Sequence, residues 1–417
     1  MHILMLCEYF YPFDQGGSEW SVYYLAKGLI KEGHRVTVLT PNYGAKSEER
    51  IEGIQVQRFW FPQRLNKNKK RSISPYWHTN LLWILTTCFF VLAQLRMRKY
   101  ELLHVQGKFY LPAAAFIRLF NSIPIVCTLR DYQVLCPYGF CITSQNHYIR
   151  CSLKRFVTKE ISEYLWQYAH EKPFVVRALL SMAGMRMKLY GYFLRFCLRR
   201  VHATVSISNK MAMILEKNGI KSKRIYNSID SQKNISKKPW VVFVGRLTWG
   251  KGAHLIVPGV ASILKSSTMK CFIVGNGMLK NLIYKQIKEN KLEHHVVLKG
   301  QMTHAETLSV IAQAKVLLAP ALWEEPFGRT ALEAVSSGTP VIVSNRGGLE
   351  EIVTPWKNGF IVEPTEQEIR KAVRKVFSDY PKLQNSTKKL IPSIRKIFGK
   401  DVINDHLKLY ATLTKKL

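Results

Sequence analysis

The sequence predicts an α/β protein of two Rossmann-like domains with parallel sheets. Three observations predict it: a length of 417 residues, strand-like runs alternating with helical stretches, and a polar break after which that alternation starts again. A chain this long exceeds one ordinary core. Strand–helix alternation argues for βαβ units and hence for parallel pairing.

The strands read in order as HILML (2–6), RVTVLT (35–40), IQVQRF (54–59), LLHVQ (102–106), PIVCTL (124–129) and ATVSIS (203–208), with helices at 18–31 and 80–97. The polar stretch DSQKNISKKP (230–239) reads as a linker. Beyond it come WVVFVG (240–245), CFIVGNG (271–277), HVVLKG (295–300), VLLAP (316–320) and VIVS (341–344). This predicts one domain over 1–229, a second over 240–380, and a helical, basic stretch over 381–417 that can return to the first. In open α/β sheets ligands bind beyond the carboxyl ends of strands. Glycine-rich loops stand at those ends in both halves, which points to a cleft between them.

Sixty-two Lys and Arg face 28 Asp and Glu, a formal charge of +34. Such a surface attracts phosphates, anionic headgroups or nucleic acid. The opening MHILMLCEYFYPF lacks the basic start and long apolar run of a signal peptide. Eight cysteines without a CxxC or a dense framework read as reduced thiols in a cytosolic setting. Cys136, Cys141 and Cys151 with His147 could ligate a metal, although their spacing fits no zinc pattern. The apolar run at 81–95, only about 22 Å long against a hydrocarbon core of about 30 Å, reads as a buried helix, with a segment dipping into the membrane interface as the other reading. In 185–201, Met185, Leu189, Tyr192, Phe193 and Phe196 fall on one helical face, and Lys188, Arg195 and Arg199 on another. That pattern suits an interfacial anchor or a core helix with a solvated basic face.

Three loops carry candidate chemistry. In VVFVGRLTWGKG, Gly245, Gly250 and Gly252 let the backbone bend, and Arg246 and Lys251 suit a diphosphate; a plain solvated loop is the competing reading. Pro258 and Gly259 should break or kink the helix that follows. In FDQGGSEW, Gly16 and Gly17 permit close approach of an anion or sugar, and Ser18 can cap the next helix. In WEEPFGRTALEAVSSG, Glu325 precedes a helix and Glu333 lies inside it. Eight residues of continuous helix would part them by about 12 Å and about 80°. A carboxyl pair sharing one glycosidic bond stands about 5 Å apart in retaining hydrolases. Glu325 and Glu333 are instead spaced to touch two ends of an extended ligand.

Taken in order, GGSE near the start, RDYQVLCP (130–137), NSID (227–230), GRLTWGKG (245–252), VGNG (274–277) and EPFGRTALEAVSSGTPVIVSNRGGLEEIV (325–353) resemble the retaining GT-B glycosyltransferases, specifically glycosyltransferase family 4. The last block carries that family's E-x7-E pattern. The resemblance implies an N-terminal acceptor domain and a C-terminal nucleotide-sugar domain facing across a cleft. It implies that Arg246 and Lys251 neutralise the donor diphosphate and that Glu333 binds the ribose. Glu325, with Phe327 and Gly328, would face the donor sugar. Gly16, Gly17, Gly245, Gly275 and Arg329 complete the implied donor set. No Asp-x-Asp is present, and fixed cations can stabilise a leaving diphosphate without metal or cofactor.

The chain departs from many relatives at Arg130-Asp131, where they carry His-Asp. An arginine stays protonated, so Arg130 suits a phosphate or hydroxyl contact, and Asp131 could assist the acceptor. The expected reaction is metal-independent sugar transfer, with anomeric retention, to a lipid-linked or polysaccharide acceptor. Its expected place is the anionic cytosolic face of a membrane, peripherally bound, with no nucleic acid as partner. Residues 138–200 are expected to shape the acceptor side. Alternatives are a GT-B epimerase or phosphorylase, a noncatalytic relative, and a basic nucleic-acid or membrane-binding protein, whose support is charge alone.

Overall fold

Every residue of His2–Leu6 is buried, as a strand covered on both faces requires, and this strand, β1, lies inside the first sheet. The computed structural model describes the chain except residues 15, 66–72, 140–151, 231–234, 354–356 and 416–417. It divides into two compact units, Met1–Ser228 with Phe398–Leu417, and Ile229–Ile397.

In the first unit β1 is joined by β2 (Arg35–Asn42), β3 (Glu48–Ile51), β4 (Ile54–Trp60), β5 (Leu102–Val105), β6 (Ile125–Leu129), β7 (Ala203–Ser206) and β8 (Lys223–Arg224). The order is β3-β4-β2-β1-β5-β6-β7-β8, parallel except for the β3–β4 hairpin, which the sequence reading lacked. Helices are α1 (Gly17–Lys31), α2 (Leu81–Met97), α3 (Leu111–Ile117), α4 (Leu153–Arg155), α5 (Ile161–Ala169), α6 (Phe174–Leu198) and α7 (Asn209–Lys217). The crossovers into β5, β6 and β7 all step the same way along the sheet. Right-handed connection therefore lays α2, α3 and α6 side by side on one face, where α2 touches α3 and α3 touches α6.

The second unit has β9 (Lys238–Val244), β10 (Lys270–Val274), β11 (Val296–Gly300), β12 (Ala314–Ala319), β13 (Val341–Ser344) and β14 (Gly359–Val362), all parallel, in the order β11-β10-β9-β12-β13-β14. Its helices are α8 (Ile256–Lys265), α9 (Lys280–Glu289), α10 (His304–Gln313), α11 (Arg329–Ser336), α12 (Glu350–Val353), α13 (Glu366–Ser378) and α14 (Tyr380–Arg395). The last helix, α15 (Val402–Thr414), belongs to the first unit and packs on α1. Its Tyr410 hydroxyl bonds His104 Nδ1 of β5 at 2.6 Å. Val402, Ile403, Leu409 and Tyr410 are buried there, each such side chain contributing roughly 1.5–3 kcal/mol.

Several expectations need correcting. Of the C-terminal stretch, α14 stays with the second unit and only Phe398 onward joins the first. The polar break is shorter than 230–239, because β9 already begins at Lys238. Lys237 donates to Ala312 O, Ser337 O and Thr339 Oγ1. Pro258 and Gly259 do not break their helix: α8 starts at Ile256, so Pro258 falls in the first turn, where no backbone donor is needed. Gly259 lets α13 close in, since a Cβ there would meet Ile369 at 2.8 Å.

The largest correction concerns α6. Lys188 and Arg195 do not form a solvated face. Lys188 is 1% exposed and donates to Leu135 O at 2.8 Å, and Arg195 Nε donates to Val134 O at 2.7 Å. The loop under the helix presents bare carbonyls, and buried carbonyls require donors. Leu189, Phe193 and Phe196 face outward instead. In α2, Trp83, Thr87, Cys88 and Val91 are buried, but Leu81, Leu82, Leu85 and Phe89 are exposed, so the helix at 81–95 is only half covered. Among the described residues no helix is long and apolar enough to cross a membrane. Cys136 is buried, while Cys141, His147 and Cys151 lie outside the described residues.

Candidate active site

Strand order decides where each unit can hold a ligand. In the first sheet β1 has β2 on one side and β5 on the other; in the second, β9 has β10 and β12. At such switch points the loops leaving the two central strands diverge and open a crevice. Those loops begin at Cys7 and Gln106 in the first unit and at Gly245 and Pro320 in the second.

In the second unit Gly250 O accepts Leu322 N at 2.9 Å, which ties the loop after β9 to the loop after β12. The tie brings Trp323 under two cations. Arg246 Cζ lies 5.4 Å and Lys251 Nζ 4.9 Å from its ring centroid. The Glu325 carboxylate accepts from Lys251 Nζ and from Trp323 Nε1, both at 2.6 Å. Its backbone is fixed as well: Gly348 N donates to Glu325 O at 2.7 Å. Gly347, at φ 64°, passes so close that a Cβ would meet Glu325 O at 2.1 Å. Burial by itself would raise the Glu325 pKa, but Lys251, the indole N–H and Arg246 overrule it and hold the group lowered and ionised. Two cations around one carboxylate leave a local surplus of positive charge.

Phe327 is buried, and Gly328, at φ 96°, turns the chain into α11. One turn along, Arg329 Nε donates to Glu333 Oε1 at 2.8 Å. Burial raises the Glu333 pKa and Arg329 offsets this only in part. Gly245 and Gly275 sit together at the ends of β9 and β10: Gly275, at φ 134°, has Gly245 O where a Cβ would stand, 1.9 Å away. The structure thus brings Arg246, Lys251 and Glu325 into one cluster with Trp323, which the sequence reading missed. It places Arg329 and Glu333 as a separate, more deeply buried pair.

In the first unit Asp131 accepts the Lys108 ammonium, and its Oδ1 also accepts Gln133 N at 2.9 Å. Arg130 donates to Asn227 Oδ1 and, at 2.6 Å, to Gln106 Oε1, so its guanidinium is oriented by its own fold. Beside them Glu8 Oε1 accepts Phe109 N at 2.7 Å. Gly107 makes room for that carboxyl, for a Cβ there would lie 1.8 Å from Glu8 Oε2. Burial, helped by the Asp131 charge, raises the Glu8 pKa against the pull of Lys108 and the Phe109 N–H. Burial would lower Lys108, yet Asp131 and Glu8 outweigh it and raise its pKa.

Gly16 caps α1 in an extended conformation, and Gly17 is its first residue. Ser18 is not the cap. Glu19 reaches back to Gly16 N at 3.0 Å, and Ser18 Oγ donates to Glu19 at 2.9 Å. Glu8, Lys108, Gln106 and Glu19 were missed from sequence. The available signal was position: Glu8 and Lys108 stand two and three residues beyond β1 and β5, the strands flanking the switch point.

Known proteins share this fold. The family model Glycosyltransferase Family 4 matches residues 15–233, more than half the chain, and Glycosyl transferases group 1 matches 226–395. An uncharacterized glycosyltransferase of Methanocaldococcus jannaschii is 25% identical over 391 residues, 91% of this chain and 90% of that one. A phosphatidylinositol N-acetylglucosaminyltransferase component of Arabidopsis thaliana is 22% identical over 94% of this chain and 78% of its own length. Among solved structures, the sucrose-phosphate synthase of Thermosynechococcus elongatus superposes over all of both chains with TM-score 0.71 and 18% identity. Anabaena HepE in complex with UDP and glucose covers 99% of each chain with TM-score 0.67 and 17% identity. With two parallel-sheet α/β units and these matches, the chain belongs to the GT-B glycosyltransferases that the Glycosyltransferase Family 4 and Glycosyl transferases group 1 models describe.

Proposed function

We propose that this glycosyltransferase is a retaining, family 4 enzyme that takes a sugar from a nucleotide diphosphate donor and passes it to a lipid-linked or polysaccharide acceptor. We place that reaction at the cytosolic face of an anionic membrane, with the protein bound peripherally. The observation that carries the donor is the pair Arg246 and Lys251 on the face of Trp323, with Glu325 2.6 Å from the ammonium. Breaking the bond between the anomeric carbon and the β-phosphate oxygen leaves a diphosphate of growing charge. Cations already fixed in place stabilise that charge without reorganisation, so the reaction needs no metal ion. A bound diphosphate competes with Glu325 for Lys251, which turns the Glu325 carboxylate toward the sugar. Glu333, oriented by Arg329, takes the ribose hydroxyls. Gly16 and Gly17, where an added Cβ at Gly16 would meet nothing, give the α1 N-terminus to a donor phosphate. The known ligands of similar structures, UDP with glucose in Anabaena HepE, support a nucleotide sugar as donor.

The test is a melting-temperature screen with nucleoside diphosphates and their sugars, followed by nucleotide release with and without chelator. A ligand at about 100 times its Kd stabilises a folded protein by about 2.7 kcal/mol. No stabilisation by any member of the panel would sink the donor assignment. Release abolished by chelator would sink metal independence.

A further inference from the structure

The outer surface of the first unit reverses the usual arrangement. On α6, Val175, Leu179, Met182, Leu189, Phe193 and Phe196 recur at steps of three, four and seven residues and are each 41–69% exposed. From Val175 to Phe196 the stripe runs about 32 Å along the helix. Meanwhile the helix turns Lys188 and Arg195 inward. Arg186, within the stripe, donates to Thr79 Oγ1 at 2.8 Å, so the middle of α6 abuts the start of α2. There Leu82, Leu85 and Phe89 add a second exposed apolar row. Together the rows reach on the order of several hundred Å², at the upper end of what a soluble monomer leaves bare.

Charge selects the occupant. Because α2, α3 and α6 run parallel to one another, their C-terminal ends gather Arg96, Arg118, Arg199 and Arg200 along one edge. Beside that edge lies a cavity of about 580 Å³ lined by Arg195, Arg199, His202, Lys221 and Lys223, among others, with no carboxylate in its lining. His202 Nδ1 accepts Ile125 N at 2.9 Å, so Nε2 carries the proton of the neutral ring, and burial together with Arg118 keeps the ring pKa lowered. An apolar band that ends in a basic cavity matches acyl chains under a layer of phosphate headgroups.

We propose that the outer face of α2 and α6, with the Arg199–Lys223 cavity at its end, is the surface by which this protein docks on an anionic bilayer. This rests on the reading that the enzyme works at a membrane, and it names the face. Arg199 and Lys221 hold headgroup phosphates, while Leu189, Phe193 and Phe196 enter the headgroup–acyl boundary.

The full chain is sedimented with vesicles of phosphatidylglycerol and phosphatidylcholine, and with phosphatidylcholine alone, at 0.15 M salt. Partitioning to the anionic vesicles is expected, falling at least about tenfold in the double variant Leu189→Glu, Phe193→Glu and about fivefold in Lys221→Glu. All three positions are outside the donor cluster, so melting temperature and nucleotide-sugar binding stay at the wild-type value. Wild-type protein that stays in the supernatant, or variants that partition like wild type, overturn the proposal. So does light scattering that finds a dimer in wild type and a monomer in the double variant, since a second copy then covers the stripe. Nucleotide-sugar binding by the same samples separates the two readings. Intact binding without vesicle partitioning sinks only the docking face, whereas lost binding in wild type sinks the donor assignment.

Discussion

The two strand-end clusters solve opposite electrostatic problems. In the second unit Arg246 and Lys251 crowd one carboxylate, Glu325, whose pKa they hold down. In the first unit two carboxyls, Glu8 and Asp131, share one ammonium, Lys108, and the Glu8 pKa is pushed up. Surplus cation suits an anionic leaving group. A carboxyl whose charge is disfavoured suits a group that holds or passes a proton. Under the proposed function the contrast predicts charge stabilisation in one unit and proton handling in the other, and each variant below attacks one side of it.

The largest effect falls on the cations. Arg246→Ala or Lys251→Ala should lower kcat by about 10²–10³, the usual loss for one donor aimed at developing charge. Lys251→Ala should also move the acidic limb of the pH–rate profile upward. Lys251 is what opposes burial at Glu325, so its removal lets the carboxyl protonate at higher pH. A profile displaced downward, or left in place, would break the assignment of charge stabilisation to this cluster.

The two glutamates of the second unit sharpen it further. Glu325→Ala should act mainly on kcat, because Glu325 joins the Lys251 and Trp323 cluster at 2.6 Å from each. Glu333→Ala should raise the donor KM by about tenfold with little change in kcat, as expected when uniform binding is removed. Steady-state kinetics with varied donor decide it, and equal effects on both parameters for both variants contradict the division.

Glu8 tests the other side. Its folded-state pKa is raised, so the folded protein binds the proton more tightly than the unfolded chain does. The stabilisation is complete below the unfolded value of 4.5 and is lost as pH rises toward the folded one. Glu8→Gln keeps an acceptor for Phe109 N and removes the charge. It should therefore melt about 2 °C higher than wild type at pH 7.5 and at the same temperature at pH 4. A variant less stable at pH 7.5 would show that Lys108 needs the Glu8 charge, and the contrast between the units would weaken.

The legibility of the two clusters differs for a physical reason. Glu325, Phe327, Gly328, Arg329 and Glu333 follow one another in a single loop and helix, and the cations lie in one other loop, so contiguous motifs disclosed most of that site. Glu8, Gln106, Lys108, Asp131 and Asn227 come from separate strand ends, brought together only by sheet order. Hydrophobic runs reveal strands but not their order in a sheet, so Asp131 and Arg130 were found through a contiguous motif while Glu8 and Lys108 were passed over. Trp323 was hidden differently: an aromatic in a loop reads as packing until Gly250 ties the loops and sets it beneath two cations. For α6 the helical period was right, and of the two directions left open the solvated basic face was the wrong one. Periodicity separates two faces, but which one is buried depends on the Val134 and Leu135 carbonyls, set by a distant loop.

The smallest effect concerns the start of α1, where local reading and structure disagree over one residue. Had Ser18 been the cap, Ser18→Ala would cost about 1 kcal/mol. In the structure Glu19 makes the bond to Gly16 N, and Ser18 Oγ only donates to Glu19 from an exposed position. Ser18→Ala should then cost under about 0.5 kcal/mol, and Glu19→Ala about twice that, because it frees the Gly16 N–H and removes an acidic group from the first turn. Burial opposes the second loss, since it already disfavours the ionised Glu19 and raises its pKa. The difference between the two variants should therefore be widest in acid, where the raised Glu19 carboxyl keeps its proton, and narrow as pH rises and burial works against the ionised group. Denaturant midpoints at pH 5 and pH 8 measure it. A Ser18→Ala loss as large as that of Glu19→Ala at both pH values would return the cap to the serine.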